Sequence, residues 1–256
     1  MTNPVSFTIE DGVGLLTLDS PPANALSTAM IDGLNAACES FDTGDVGCVV
    51  FTSALERFFA AGADLKLLVT LDATGFASYL TQLRGVLDRI AAAEWLSIAA
   101  IDGLSLGGGL ELSMACTFRV VSPRAQLGVP EVKLGLLPGA GGTQRLPWLI
   151  GRAAALDMLT TGDPVDGEQA FKLGLADRCV ETPLAEAQTW ARELAAGPRA
   201  ALVAIVRCVD AAQSGGDGMA VEGAEVSSLF QSADGREGIA AFIERRTAHF
   251  GRATRD

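Results

Sequence analysis

A chain of 256 residues, 49% hydrophobic and 20% charged, is long enough for one large domain with appendages and can fill a sizeable core. Its net charge of −12 argues against a general nucleic-acid binder, which would carry a basic face, yet leaves room for a phosphorylated small molecule held by a few local cations. One histidine and five scattered cysteines without a CxxC pair argue against a His-based metal site or a catalytic triad and point to a reducing compartment.

The opening "MTNPVSFTIEDGVG" has neither the basic start and apolar stretch of a signal peptide nor an Arg-rich transit pattern, so a cytoplasmic location is expected. "SFTIEDGVGLLTLDSP" predicts a hairpin about Asp11-Gly12, two alternating runs joined by a turn dipeptide. Ser27 is a candidate N-cap for a helix carrying Ile31, Leu34, Ala37, Cys38 and Phe41 on one face. Val46 to Ser53 reads as a buried strand, and "ERFFAAGADLK" as a loop running into a short helix. A longer helix is expected over Thr74 to Glu94, and a strand over Ser97 to Ile101. Leu110 to Cys116 reads as helix and "FRVVSP" as strand; Asp102, Glu111 and the glycines interrupt this region too often for a membrane span. The alternation predicts an α/β core with crossover connections. From about Gly151 the pattern reads as almost wholly helical, punctuated by Gly197-Pro198 and "SGGDG". The apolar excess also suggests surfaces buried in an oligomer, with a large monomeric core as the alternative.

Three segments carry candidate chemistry. Gly107-Gly108-Gly109 sits between a strand and a helix, where a close backbone and free N–H groups could stabilise a developing negative charge; tight helix–strand packing is the plainer reading. "FAAGADLK", Phe59 to Lys66, is a second candidate anion site or an ordinary turn. "GVPEVKLGLLPGAGGTQRLP" places Glu131 after a proline and opens another helix with glycines. Glu111 lies in apolar surroundings, where an ionised carboxylate is costly unless it is compensated or used.

"PPANALS", "FAAGADLK", "GLSLGGGLELSMAC", "PEVKLGLLPGAGGTQRL", "GEQAFKLGLAD" and "EGIAAFIERR" occur in the order found in the crotonase superfamily, and the chain most resembles enoyl-CoA hydratase. The resemblance implies a spiral of ββα turns over 1–195 and a C-terminal helical section, 196–256, that completes the site and forms trimers, commonly paired into hexamers. It implies that the backbone N–H groups of Ala63 and Gly108 hold an acyl-CoA thioester oxygen. It makes Glu111 the group that activates water for attack at C3, and Glu131 the group that exchanges the C2 proton and orients the water. The two would act as a coupled pair, giving syn addition to a trans-2-enoyl-CoA. Asp64, Leu65 and Lys66 would lie on the CoA side, with Lys66 near ribose and phosphates and Asp64 capping or orienting its loop. Arg245 matches a position where many members carry a CoA-contacting lysine; a solvated arginine is the alternative. No metal and no cofactor beyond the CoA of the substrate are implied, nor any nucleic-acid or membrane partner.

Two rivals share the scaffold: a Δ3,Δ2-enoyl-CoA isomerase relying on Glu131, and a non-catalytic binding protein. A dinucleotide reading of "GLSLGGGLE" lacks clean GxGxxG spacing. Leu67, Leu68, Val69, Leu71, Phe76 and Tyr79 fit an acyl-tail lining, core packing or an oligomer contact equally well.

Overall fold

Asp11 and Gly12 both take positive φ (49° and 78°), which turns β1 (Val5–Glu10) back onto β2 (Val13–Leu18) as an antiparallel hairpin. This is a computed structural model describing residues 3–213 and 215–251. The chain continues through α1 (Thr28–Thr43), β3 (Cys48–Ser53), β4 (Phe58–Ala60), α2 (Leu65–Leu68) and α3 (Ala73–Ala91). Next come β5 (Leu96–Ile101), β6 (Leu104–Leu106), α4 (Gly108–Ala115), β7 (Phe118–Val121), β8 (Gln126–Gly128) and a 3₁₀ turn at Pro130–Leu134. Then follow α5 (Gly142–Thr161), β9 (Val165–Asp166), α6 (Gly167–Leu173), β10 (Arg178–Cys179) and α7 (Pro183–Ala195). The helices α8 (Arg199–Gln213), α9 (Gly218–Gln231) and α10 (Ala233–Glu244) close the described chain.

Two sheets organise these elements. The long one runs β1-β2-β3-β5-β7-β10 and is parallel from β2 onward; the short one runs β4-β6-β8-β9. Each of β3, β5 and β7 is followed by a short-sheet strand and then by helix, so the chain winds as successive ββα turns, as expected. In β3 and β5 every second residue faces each side. Val49, Phe51, Ala99 and Ile101 join the main core, while Cys48, Val50, Leu96, Ile98 and Ala100 join a second cluster. Parallel strands covered on both faces read as unbroken apolar runs, which explains "CVVF" and "LSIAAI". The main core is closed by α1 through Ile31, Leu34 and Phe41 and by α3 through Leu83, Leu87 and Ile90. The second face is closed by Ala187 and Ala191 of α7, with Leu202 and Val206 of α8 beside them. Burying each such leucine, isoleucine or phenylalanine contributes about 1.5–3 kcal/mol.

The caps explain where helices begin. Ser27 Oγ accepts from Met30 N (3.3 Å) to start α1, as its position suggested. Asp72 Oδ1 accepts from Gly75 N (2.7 Å), so α3 starts at Ala73.

Three expectations need correction. The loop at 56–66 contains β4, and the whole short sheet escaped the pattern reading because its strands have only two or three residues. The helix assigned to Leu110–Cys116 starts two residues earlier, inside the glycines. The region after Gly151 is not wholly helical, since β9 and β10 add edge strands to the two sheets.

No helix among the described residues is long and apolar enough to cross a membrane. The C-terminal helices stack in order, α9 on α8 and α10 on α9, and α9 buries none of its residues. They leave Met219, Phe230, Phe242 (87% exposed) and Ile243 facing outward.

Candidate active site

The turn after β6 is built around Gly107, whose φ of 54° and ψ of −126° suit glycine. A Cβ there would also lie 2.7 Å from Glu131 Oε1 and push that carboxylate aside. Two residues on, a Cβ on Gly109 would overlap the Ala60 carbonyl, so α4 packs directly on the end of β4. This close approach brings Ala63 and Gly108 together: the Cβ position of Gly108 is only 3.8 Å from Ala63 N. Gly108 opens α4, so its N–H has no intrahelical acceptor, and neither it nor the Ala63 N–H donates to another described residue. Two unpaired donors side by side, one at a helix N-terminus, can take an oxygen on which negative charge develops.

Glu111 lies in the first turn of α4 and is 2% exposed. Its Oε1 accepts from Ala140 N (2.7 Å) and Gly142 N (2.8 Å), at the positive end of α5. Burial pushes its pKa up; the Gly142 and Ala140 N–H groups oppose that, as do the charges of Arg145 and Arg84. The third glycine-rich segment, "PGAGG", therefore serves Glu111 itself.

Glu131 sits in the 3₁₀ turn, which Gly135 ends at φ 69°. The half-buried side chain has a buried oxygen, Oε2, with no hydrogen-bond partner among the described residues. Burial raises its pKa to about 7, opposed by its own backbone N–H and reinforced by the charge of Glu111. Two carboxylates near one turn thus differ in what faces them. Backbone donors and guanidinium groups compensate Glu111, whereas Glu131 is desolvated and keeps a proton near neutrality.

The other expected residues are placed unevenly. Asp64 caps α2, its Oδ1 accepting from Lys66 N (3.0 Å) and Leu67 N (3.3 Å), so it orients the loop that carries Ala63. Leu65 and Lys66 are exposed at the mouth of that loop, and Lys66 forms no ion pair among the described residues. Leu67, Leu68 and Leu71 pack half-buried against the core beside Ala63, and Phe76 is half-buried, while Val69 is 84% exposed. Tyr79 is buried in the core, with its hydroxyl donating to the Leu26 carbonyl (2.8 Å). Arg245 takes φ 56° as the C-cap of α10, exposed on a helix that packs on α9. Among the described residues no three His, Cys, Asp or Glu side chains gather as a metal site.

Sequence reasoning missed several contributors. The Ala140 and Gly142 N–H groups reach Glu111 across about thirty positions, and only the glycines of "PGAGG" hinted at them. Asn24 in "PPANALS" is fully buried, donating from Nδ2 to the Phe59 carbonyl (3.0 Å) and Ser53 Oγ (2.8 Å). It holds the segment whose Leu26 N donates to the Gly62 carbonyl (2.8 Å), next to Ala63.

Residues 8–253 match the family model described as Enoyl-CoA hydratase/isomerase. A probable enoyl-CoA hydratase of Bacillus subtilis is 34% identical over 255 residues, covering 97% of this chain and 98% of its own. A peroxisomal fatty acid beta-oxidation multifunctional protein of Arabidopsis thaliana is 44% identical over 190 residues, 72% of this chain but 26% of that longer protein. The crystal structure of an enoyl-CoA hydratase from Bacillus anthracis superposes with a TM-score of 0.92 at 30% identity, covering 98% of this chain and 100% of that one. The architecture is the crotonase fold of these neighbours, and the chain belongs to the enoyl-CoA hydratase/isomerase family.

Proposed function

We propose that the protein is an enoyl-CoA hydratase, adding water in the syn sense to a trans-2-enoyl-CoA to give a 3-hydroxyacyl-CoA. One observation carries the reading: a buried and a half-buried glutamate in opposed environments flank the glycine turn that carries two unpaired N–H donors, Glu111 from the first turn of α4 and Glu131 with Oε1 2.7 Å from the Cβ position of Gly107. The thioester oxygen takes the N–H groups of Ala63 and Gly108. As the enolate forms, charge grows on that oxygen and both donors tighten, each worth roughly 3–4 kcal/mol in such sites. Glu111, compensated by N–H groups and arginines, takes a proton from the water whose oxygen bonds to C3. Glu131, holding a proton near neutral pH, delivers it to C2. One proton has then moved from Glu131 to Glu111, and its return within the coupled pair resets the site.

Lys66 meets the CoA phosphates on this reading, and Arg245 is a second candidate CoA contact, which a neighbouring copy could share. The outward apolar side chains of α9 and α10 support a trimer or a dimer of trimers built through the section 196–256. The reaction needs no cofactor beyond the CoA of the substrate and belongs in the cytoplasm, in fatty-acid β-oxidation. Isomerisation of a 3-enoyl-CoA is the second reading. It is favoured by the raised pKa and unpartnered oxygen of Glu131, since that reaction needs one carboxyl group to carry a proton between carbons.

The test is to mix the protein with trans-2-enoyl-CoA esters of several chain lengths and follow loss of the conjugated enoyl-thioester absorbance. Rapid loss with 3-hydroxyacyl-CoA as product supports hydration. Turnover of 3-enoyl-CoA alone moves the assignment to isomerase, and CoA-ester binding with no turnover of either removes the catalytic reading.

A further inference from the structure

The segment Pro138–Gly142 must hold two N–H groups on one carboxylate, yet three of its five residues are glycine, the residue with most backbone freedom to lose. Something outside it has to fix it, and its carbonyls show what does. Arg84 of α3 donates from Nε to the Gly139 carbonyl (2.6 Å). Arg145, in the first turn of α5, donates from Nη1 to the Ala140 carbonyl (3.0 Å) and from Nη2 to Asp88 Oδ1 of α3 (2.7 Å). The carbonyl side of the segment is thus tied to α3, while its N–H side is tied to Glu111 on α4.

We propose that Arg84 and Arg145 are positioning residues for Glu111, clamping the Gly139 and Ala140 peptide units so that the Ala140 and Gly142 N–H groups stay on its carboxylate. Their role in water addition rests on the hydratase reading; the clamp itself does not. A guanidinium on a peptide carbonyl also polarises that peptide, and the Ala140 carbonyl leads directly into the Gly141–Gly142 peptides. The groups facing Glu111 are Arg84 and Tyr79 from α3, Arg145 from α5 and, across the site, Glu131. The two arginines are the cations among them, and each favours the ionised form of Glu111. Arg145 is the less exposed and is anchored by Asp88, whereas Arg84 is exposed and more readily screened. The clamp therefore leans on Arg145.

The test compares Arg145→Met, Arg145→Lys, Arg84→Met and the double methionine variant with wild type. Hydration is followed as kcat and KM across pH, and the Glu111 carboxyl by carbon-13 titration in glutamate-labelled protein, with Glu111→Gln identifying the resonance. Arg145→Met is expected to lower kcat about 10- to 100-fold with KM nearly unchanged, because a displaced base loses transition-state geometry rather than binding. Its acidic limb and the Glu111 titration should both move up by about half to one pH unit as a nearby cation is lost. Arg145→Lys should recover part of the shift, and Arg84→Met should lose less than about tenfold. An unmoved Glu111 titration in Arg145→Met and in the double variant, both folded by circular dichroism, overturns the proposal. So does an equal kcat loss in the lysine and methionine variants that follows melting temperature with no pH shift. Were Arg145→Met not to fold, Arg84→Met alone would decide through the same titration. If wild type hydrates no enoyl-CoA, the hydratase reading falls, while the Glu111 titration still judges the clamp.

Discussion

Glu111 and Glu131 are the same chemical group near the same glycine turn, and they live in different electrostatic worlds. Glu111 is the more buried, yet two backbone N–H groups at the head of α5 and two arginines compensate its charge. Glu131 has more access to solvent, yet one of its oxygens is buried without a partner, and its pKa rises to about 7. What separates them is the supply of aimed donors and cations: Glu111 has two N–H groups from another segment and two arginines, whereas Glu131 has only its own backbone N–H against its burial.

The strongest way to break this contrast is to neutralise each side separately. Glu111→Gln and Glu131→Gln should each lower kcat for hydration by about 10³-fold, within the range for general acid–base groups. They should part company in heavy water. Glu111→Gln keeps exchange of the C2 hydrogens of a saturated acyl-CoA, followed by proton NMR, and Glu131→Gln loses it. If both variants keep exchange, the proton at C2 does not belong to Glu131.

Gly107 is where the two environments are held apart. Replacing it with alanine forces a side chain into φ 54° and puts a methyl group against Glu131 Oε1. Strain at such a position should cost about 1–3 kcal/mol, read as a lower midpoint in urea denaturation. Because the methyl group also pushes Glu131 away from the donors, kcat should drop further than stability alone explains. A variant that is destabilised but fully active would show that the contact is only structural.

The raised pKa of Glu131 has a stability consequence with a definite sign. The folded state binds its proton more tightly than the unfolded chain does, so the folded state holds more protons between the unfolded pKa of 4.5 and the folded value of about 7. The contribution is fully present below that window and is lost as pH rises through it. After allowing for the solvent that reaches a half-buried side chain, the loss should be about 1–2 kcal/mol. Urea denaturation at pH 5 and pH 7.5 should therefore show wild type losing stability relative to Glu131→Gln. Parallel pH dependences would place the proton elsewhere.

These contrasts were only partly legible in the sequence. The apolar runs of β3 and β5 and the face of α1 announce the long sheet and its cover, because six strand residues or four helical turns hold enough periods to recognise. Phe58–Ala60, Leu104–Leu106 and Gln126–Gly128 are one and a half periods each, and only stacking side by side makes them strands. Yet these short strands place Ala63 and Gly108 together. Glu111 and Glu131 stood out as carboxylates in apolar text, but their opposed environments did not, since Ala140, Gly142 and Arg145 come from a distant segment. Arg245 illustrates the converse: its motif was visible, but its role as the left-handed C-cap of α10 was not.

The smallest expected effect concerns how the donor side is braced. Tyr79 lies in the region read as a candidate acyl lining, but it is in the core and its hydroxyl donates to the Leu26 carbonyl. Leu26 in turn donates to Gly62, beside the Ala63 N–H. Tyr79→Phe removes that one hydrogen bond and leaves a buried carbonyl short of a partner, which should cost about 1 kcal/mol in unfolding free energy. If Tyr79 acts only through Leu26, preference among enoyl chain lengths should stay constant while kcat falls a few-fold for every substrate. A change in chain-length preference would instead put the ring against the acyl tail. The brace and the lining would then be one structure, and the donors could not be tuned without altering what they bind.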